Sequence, residues 1–476
     1  MSDRFAVIWT RTGEGPVKMG SLVYTGTETR FSYERDFVAT GGHGLSIALS
    51  PVLFGTQPFV HRSDSLFPLP PRLMAYVPGH GADNLQRRLY TGMLRLRPPG
   101  MAEVLETQEQ FPGRAPASLA PPRTPFDDDW DILMLTGRDG IGHLDLFRDD
   151  RDALAHYAGA ARTKPESLGA RSSLWQHFTH GLDHDFSPDE IRHIADALGP
   201  TPSAEGMIPK LLVSIPDAPV WDGRFTAPGV GTLENHAYRD VLLKITPRDY
   251  PGVTYLEALC YDVHRELGFR TPRYWLGDFD GLNTLAVERF DRMHGLPIPM
   301  ESIFSVFAMA RFISRQSDLS MEELGRNLIR LGQLGIDQAA VRAEVFRRFV
   351  AALYTGNGDL HLRNLSFLGG GEHVLISPVY DPAPMRAWDR HNLLSALPFD
   401  PAHRSGLRAA VARLGTLSFG LSAASADQLI DEIEQGTQDY AQRVESLILV
   451  PAATRKRLAD RVRQLRAKMT TVSPHL

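Results

Sequence analysis

A short polar loop between an apolar helix and a predicted β-hairpin is the feature that most constrains this chain. The loop runs from Gly356 to Asn364 and places a carboxylate, Asp359, five positions before the amide of Asn364. The helix before it carries apolar residues at the 3.6-residue period and is therefore predicted to be buried. A second carboxylate, Asp381, lies just past the hairpin. We expect these polar groups at the mouth of one packed core.

Three of these side chains form a set that phosphoryl transfer requires. One carboxylate must orient the attacking hydroxyl, while an amide and a second carboxylate hold magnesium against the phosphates. Because Mg²⁺ takes oxygen ligands and few protein groups, Asn364 and Asp381 would suffice. In the structural alternative, Asp359 caps a turn, Asn364 lies in a bend, and Asp381 begins a loop before Pro382. The residues alone leave both interpretations open.

The composition is that of a soluble globular protein with at least two packed units. The 476 residues are 43% hydrophobic and 22% charged, with a net charge of -5. A dedicated nucleic-acid binder would be expected to be basic. The single cysteine, Cys260, excludes an intramolecular disulfide framework and fits a reducing compartment. No run approaches the ~20 apolar residues of a membrane helix, and no signal peptide is visible, so we predict a cytoplasmic protein.

The order of predicted elements describes a two-lobed α/β (α+β) fold with a cleft between the lobes. Short strands are expected in the first hundred residues, and prolines recur between residues 97 and 126 as an extended connector. The remainder is mainly helical, apart from the hairpin. Further elements are predicted as strands at 211–215, 241–245 and 283–290 and as an amphipathic helix at 254–269.

The polar loop resembles the catalytic loop of the HipA family of Ser/Thr protein kinases. Residues 359–364 read D-L-H-L-R-N and are similar to that family's D-x-H-x-K-N, with Arg363 at the lysine position. Residues 377–381 read S-P-V-Y-D and resemble its metal-binding strand end, T-P-x-Y-D. Residues 285–292 are close to its hinge strand, and weaker similarities follow in the family's order at 31–51, 77–88 and 131–142.

The resemblance implies a kinase that uses ATP and Mg²⁺. Asp359 would be the catalytic base, and Asn364 and Asp381 would bind the metal. The backbone near Glu288 and Phe290 would bind adenine. The implied parts are an N-terminal HipA-like β-rich subdomain with the Pro-rich connector (1–125), the nucleotide-binding part of the kinase core (126–298), and a helical C-terminal lobe with the catalytic loop (299–476).

A lysine at the end of a predicted strand falls where the family's phosphate-binding lysine is expected. Lys244 follows three apolar residues, and an unpaired ammonium buried there would be costly. The phosphates of ATP would be one partner, and Glu257 is a candidate for another, although a solvent-facing Glu257 is equally consistent with the sequence. In the alternative, the strand lies at a sheet edge and Lys244 reaches water.

A second segment resembles the family's phosphate loop, S-x-x-G-x-Q-x-K. Residues 203–210 read S-A-E-G-M-I-P-K, which implies phosphate contacts from Ser203, Gly206 and Lys210. Gly206 permits close backbone approach to phosphate. The resemblance makes Ser203 an autophosphorylation site, where about -1.5 to -2 added charges would repel ATP. Ile208 replaces the family's glutamine, and Pro209 lacks an N–H donor.

Two residues of the catalytic region need separate interpretation. His361 is assigned to the cofactor site as a residue that braces the loop rather than one that transfers protons. Asp381 precedes a proline, where the family usually has a large aliphatic residue, and proline biases the preceding residue towards an extended backbone. The basic tail at 455–466 is interpreted as a solvated helix face in preference to a partner or nucleic-acid surface.

The resemblance also implies partners. It predicts a protein substrate, in characterised relatives an aminoacyl-tRNA synthetase, and a small DNA-binding antitoxin, because the family supplies the toxin of HipBA-type toxin–antitoxin pairs. Direct binding to nucleic acid or membrane is not expected. Two alternatives remain open, a small-molecule kinase of the aminoglycoside-phosphotransferase type and a catalytically silent binding protein on the same fold.

Overall fold

The computed structural model describes most of the chain in segments. These segments are residues 3–13, 15–63, 67–81, 84–96, 125–160, 173–199, 201–202, 208–229, 237–293, 295–313, 319–334, 336–369, 374–401 and 406–470. Almost all of the predicted Pro-rich connector therefore lies outside the described residues. So do Ser203 and Gly206 of the predicted phosphate loop.

The N-terminal part is built on a five-stranded antiparallel sheet in the order β4-β3-β2-β1-β5. Buried and more exposed side chains alternate along β1, as a half-buried strand requires. The predicted strands of the first forty residues are confirmed. The strands are Arg4–Thr10 (β1), Val17–Tyr24 (β2), Glu28–Tyr33 (β3), Phe59–Arg62 (β4) and Asp145–Phe147 (β5).

Eight helices in the described residues accompany this sheet. Six of them contribute to the hydrophobic core of the N-terminal part, through residues such as Phe37, Leu73, Tyr90, Ile132, Phe178 and Ile194. The helices are Arg35–Ala39 (α1), Pro51–Phe54 (α2), Pro71–Met74 (α3), Leu85–Leu96 (α4), Pro125–Thr136 (α5), Asp150–Ala160 (α6), Ser173–Asp183 (α7) and Pro188–Leu198 (α8).

A second antiparallel sheet follows, in the order β6-β7-β9-β8, with one long helix packed against it. Because β7 pairs on both sides, Lys244 lies on a central strand, which excludes the alternative in which the strand lies at a sheet edge. The helix ends three residues earlier than predicted. These elements are Lys210–Pro216 (β6), Tyr238–Ile245 (β7), Val253–Glu266 (α9), Tyr274–Phe279 (β8) and Leu282–Glu288 (β9).

The C-terminal part is mainly helical, as predicted, and contains a small sheet in the order β12-β13-β14. Gly356 ends α12 in the left-handed conformation at φ 76°, which starts the polar loop. The strands are Arg292–Met293 (β10), Leu296–Pro297 (β11), Met300–Ser302 (β12), Ser366–Leu368 (β13) and Leu375–Ile376 (β14). The helices are Ile303–Met309 (α10), Met321–Ile329 (α11), Gln338–Thr355 (α12), Leu407–Leu417 (α13), Ala423–Gly436 (α14), Tyr440–Ser446 (α15) and Ala452–Thr470 (α16).

The segment after β9 ties the second sheet to the N-terminal part. The guanidinium groups of Arg289 and Arg292 each donate to the carbonyl oxygen of Gly140 at 2.6 Å. Asp291 accepts from the backbone N–H of Gly142 at 2.7 Å and also from both arginines. These buried charges are therefore paired and hydrogen-bonded, which is the condition for burying them without a large penalty. No helix in the described ranges combines the length and apolar character that crossing a membrane requires.

We predict that Gly142→Ala destabilises the protein more than Gly281→Ala. Both glycines have positive φ, 82° and 78°, so alanine costs roughly 1–2 kcal/mol at either position. At Gly142 a Cβ would also lie 2.9 Å from both Nη2 of Arg72 and the carbonyl oxygen of Met300, whereas nothing lies within 4 Å at Gly281. The urea and thermal midpoints of both variants measure the difference, and equal losses would contradict the close packing at this junction.

Candidate active site

A cavity of about 300 Å³ lies between the second sheet and the polar loop. Its wall is formed by β6, β7, the segment after β9, the polar loop and the segment that follows β14. The structure brings every described residue of the predicted site to this one cavity. They are Lys210, Lys244, Glu288, Phe290, Asp359, His361, Asn364 and Asp381.

The ammonium group of Lys244 lies between two carboxylates. Its Nζ donates to Oε1 of Glu257 at 2.5 Å and to Oδ1 of Asp381 at 2.5 Å. The side chains of Lys244 and Glu257 are 1% and 0% exposed, so the sequence's open question about Glu257 is settled in favour of a buried pair. Burial lowers the pKa of Lys244, but Asp381 and Glu257 outweigh it and raise the pKa above its ordinary value. Lys244 is therefore a fixed positive charge at this wall.

Asp381 meets two lysines at the same wall. Besides Lys244, the Nζ of Lys210 lies 3.8 Å from its Oδ2. Burial raises the pKa of Asp381, but Lys244 and Lys210 outweigh it and hold the pKa well below its usual range. The carboxylate is thus kept ionised, which a metal ligand requires.

The backbone of Asp381 differs from the expectation. Proline predicts an extended residue before it, yet Asp381 has φ 54°. Its N–H donates to the hydroxyl of Tyr261 at 3.3 Å while its carboxylate is held by Lys244. Contacts on both sides fix a conformation that local sequence disfavours, and such backbone strain concentrates at functional sites.

The polar loop is braced by its own backbone and side chains. The Nδ2 of Asn364 donates to the carbonyl oxygen of Asp359 at 3.0 Å, and the N–H of Arg363 donates to Nδ1 of His361 at 3.3 Å. His361 therefore takes part in a hydrogen bond within the loop. The N–H of Asp359 donates to Oδ1 of Asn357 at 3.0 Å. These bonds aim the carboxylate of Asp359 and the amide of Asn364 into the cavity.

Asp359 has a different electrostatic environment from Asp381. Burial raises its pKa, His361 opposes that shift, and the nearby charge of Asp381 adds to it, so the pKa lies above its ordinary value. The two aspartates of one cavity therefore differ in proton affinity. Asp381 is held as an anion, whereas Asp359 binds a proton more readily, a division that suits metal binding by one and proton acceptance by the other.

The segment after β9 forms a further part of the cavity wall. The backbone N–H groups of Glu288 and Arg289 donate at 2.9 Å to the carbonyl oxygens of Arg273 and Asp240. The N–H of Phe290 has no hydrogen-bond partner among the described residues. One backbone donor at this wall is therefore free for a ligand.

The basic tail has a role that sequence reasoning missed. Arg457 and Arg461 in α16 donate to the carbonyl oxygens of Ala387 and Arg386, and both contact the carboxylate of Asp389. The N–H of Arg386 in turn donates to the carbonyl oxygen of Gly356 at 3.1 Å. Interpretation as a purely solvated face is wrong for these arginines. They hold the segment after Asp381 against the start of the polar loop.

Comparison with solved structures gives the class of the fold. The HipA toxin of Shewanella oneidensis MR-1, solved with HipB and its operator DNA, matches with a TM-score of 0.55 at 16% identity, over 98% of this chain and 99% of that one. The predicted mixed α/β fold of HipA type is thereby confirmed.

Comparison with protein families gives the particular family. A family described as HipA-like C-terminal domain matches residues 202–441, just over half of the chain. The chain belongs to the HipA-like family.

Two curated relatives are named "Putative kinase" and "Putative kinase Y4dM". The protein from Haemophilus influenzae is 28% identical over 152 residues, 29% of this chain and 43% of the relative. The protein Y4dM from Sinorhizobium fredii is 28% identical over 192 residues, 37% of this chain and 41% of the relative. The match therefore covers less than half the length of each relative.

We predict that Lys244→Met destabilises the protein more than Glu257→Gln. Loss of the ammonium leaves Glu257 without a cation and Asp381 with Lys210 alone, at a cost of about 3–5 kcal/mol for a broken buried pair. Glu257→Gln keeps a similar shape and leaves Lys244 paired with Asp381. Thermal and urea midpoints at neutral pH measure both variants. An equal loss in the two variants would show that Asp381 contributes nothing to holding the ammonium.

Proposed function

We propose that this protein is an ATP- and Mg²⁺-dependent Ser/Thr protein kinase. The observation that carries the proposal is the position of the Lys244 ammonium. It lies between Glu257 and Asp381 in a cavity that also receives Asp359 and Asn364. Phosphoryl transfer is catalysed almost entirely by positioning and by stabilising charge, and this wall supplies lysines, carboxylates and an amide at close range.

The lysines and the free backbone donor suit the two ends of ATP. Lys244 and Lys210 would contact the phosphates, because both ammonium groups already attract an anion at this wall. The free N–H of Phe290 would donate to the adenine ring, beside the backbone of Glu288. In this arrangement the nucleotide would reach from the two lysines to the N–H of Phe290 within one cavity.

Asn364 and Asp381 are suited to hold magnesium. Both offer oxygen atoms, which Mg²⁺ prefers. The Nδ2 of Asn364 is used by the loop, whereas its Oδ1 has no hydrogen-bond partner among the described residues. The lowered pKa of Asp381 keeps its carboxylate charged. Bound magnesium would neutralise the charge of the phosphates during transfer.

Nucleotide binding requires an exchange of partners around Lys244. Without ligand, the ammonium group of Lys244 forms an ion pair with the carboxylate of Asp381. The phosphates would replace Asp381 as the anion that Lys244 contacts, and Asp381 would become free to bind metal. Glu257 keeps its bond throughout and holds the ammonium in place. The buried pair Lys244–Glu257 is therefore the fixed element, and the contact with Asp381 is the exchangeable one.

Asp359 would orient the substrate hydroxyl and accept its proton. Its carboxylate has no recorded side-chain bond in the described residues and lines the cavity. The raised pKa favours acceptance of a proton once the hydroxyl has attacked. The phosphoryl group moves to the hydroxyl oxygen, ADP leaves, and the released proton is held on Asp359.

Three finer points of the proposal rest on the family. We propose Ser203 as a site of autophosphorylation and Gly206 as its neighbour in the phosphate loop. We also propose a protein substrate of the aminoacyl-tRNA synthetase class and a small DNA-binding partner. The solved HipA complex with HipB and operator DNA supports the partner. A cytoplasmic location accords with the single, buried Cys260.

We predict that Asp359→Asn abolishes transfer while ATP still binds. The variant keeps the shape of the side chain but cannot accept a proton, which should cost about 10²–10⁴-fold in rate. Purified protein is incubated with Mg²⁺ and γ-labelled ATP, ATP affinity is measured in parallel, and labelled residues are mapped. Label on Ser203 of the wild type that is absent from Asp359→Asn is the expected result.

A matched variant separates the switch from the chemistry. The Ser203→Ala variant should no longer become labelled by autophosphorylation, but it should still phosphorylate an added protein substrate. Label on a residue other than Ser203 would support kinase activity and contradict the proposal that Ser203 is the autophosphorylation site. ATP binding without any label would favour a small-molecule kinase, and no ATP binding at all would favour a silent binding protein.

A further inference from the structure

A second, smaller cavity of about 160 Å³ lies between the N-terminal part and the C-terminal lobe. Its walls are the loop 41–47, the residues around β12 and the edge of the β13–β14 hairpin. Arg72 and His143 both line it, and each contributes a buried nitrogen without a hydrogen-bond partner among the described residues, Nε and Nδ1 respectively. Buried polar atoms are satisfied in nearly all native structures, so two unpartnered nitrogens on residues that line one cavity require an explanation.

Arg72 is a buried cation without an ion pair. The residue is 3% exposed, and its closest recorded contact is a long hydrogen bond of 3.4 Å from Nη2 to the hydroxyl of Tyr76. Within the described residues no carboxylate lies within 4.0 Å of it. A buried guanidinium normally has an anionic partner, because an isolated buried charge is costly. No carboxylate of the described residues contacts this guanidinium, although that of Glu301 lines the same cavity.

Glu301 lines the same cavity, but its carboxylate oxygens already accept hydrogen bonds from neighbouring residues. Its Oε1 accepts from the hydroxyls of Ser46 and Ser305 at 2.8 and 2.5 Å, and its Oε2 accepts from the N–H of Ile47 at 2.8 Å. These three bonds fix the carboxylate as part of the wall. The charge of Glu301 interacts with that of Arg72, but the two side chains form no ion pair.

His143 presents a hydrogen-bond acceptor to the cavity. Its Nε2 lies 3.1 Å from the carbonyl oxygen of Gly44, which can only accept, so Nε2 carries the hydrogen. Burial, and then the charges of Arg72 and His43, lower its pKa to about 3, so the ring is neutral at physiological pH. With the hydrogen on Nε2, Nδ1 is an acceptor, and it has no hydrogen-bond partner among the described residues.

We propose that this cavity binds a small oxyanion that carries its own hydrogen-bond donor, such as hydrogen phosphate. The anionic oxygens would accept from Arg72, and the O–H of the ligand would donate to Nδ1 of His143. Arg72 and Met300 line this cavity and the candidate active site alike, so the bound anion would lie against the wall of the nucleotide cavity. The proposal does not depend on kinase activity.

A comparison of phosphate binding with sulfate binding tests the proposal directly. The two ions have the same shape and similar charge, but sulfate has no proton at neutral pH. Titration calorimetry of the full chain with sodium phosphate and with sodium sulfate should give phosphate the higher affinity by about tenfold or more, since one hydrogen bond is lost with sulfate. His143→Leu should reduce phosphate to the affinity of sulfate and leave sulfate unchanged.

Variants of the cations locate the site. Arg72→Met should weaken both ions by about 10- to 100-fold, as expected for loss of a charged hydrogen-bond donor, and Arg72→Lys, which keeps the charge and is less disruptive, should weaken them less. Lys210→Met removes a cation of the nucleotide cavity only, so it should leave in place the phosphate binding that depends on Arg72 and His143. Circular dichroism and thermal midpoints confirm that each variant is folded.

Three results would overturn the proposal. No phosphate binding by folded wild-type protein would mean that water alone satisfies the two nitrogens. Equal affinity for phosphate and sulfate would show that the ligand donates no hydrogen bond to Nδ1 of His143. Phosphate binding that is lost in Lys210→Met but kept in Arg72→Lys and Arg72→Met would place the anion in the nucleotide cavity.

Discussion

The buried ammonium of Lys244 is the interaction on which the rest of the site depends. It joins a central strand, β7, to the helix α9 through Glu257 and to the segment after β14 through Asp381. Because a buried charge must be paired, the three elements can pack only in an arrangement that keeps both carboxylates near it. The cavity, the ionised Asp381 and the position of the polar loop follow from that arrangement. The same charge would also attract the phosphates of a nucleotide.

The motif after β9 supplies a second constraint. Arg289 and Arg292 converge on the carbonyl oxygen of Gly140, and Asp291 binds the N–H of Gly142. These contacts dock the N-terminal part against the wall of the cavity that carries Phe290. The N-terminal part thereby contributes Arg72 and Tyr76 to the cavity lining. The part of the cavity wall that carries Phe290 is thus built jointly by two regions that are far apart in sequence.

The sequence predicted the local elements well, because alternation along β1 and the helical period of α12 are local patterns. It also predicted that Asp359, Asn364 and Asp381 share one site, since they follow elements of one packed core. It could not predict the left-handed backbone of Asp381, which is held by Lys244 and Tyr261 against the preference that proline imposes. The contacts of α16 and the orphaned nitrogen of Arg72 depend on residues far away in sequence, and no local pattern carries them. The domain boundaries at residues 126 and 299 stay predictions. So do the roles of Ser203 and Gly206 in the phosphate loop.

A crystal structure with Mg²⁺ and a non-hydrolysable ATP analogue tests the central claim most directly. The account predicts that Nζ of Lys244 keeps Glu257 but exchanges Asp381 for a phosphate oxygen. It also predicts that oxygens of Asp381 and Asn364 lie about 2.0–2.1 Å from the metal. An analogue bound outside this cavity would contradict the account, as would one bound inside it with the Lys244–Asp381 contact intact and no metal between Asp381 and the phosphates.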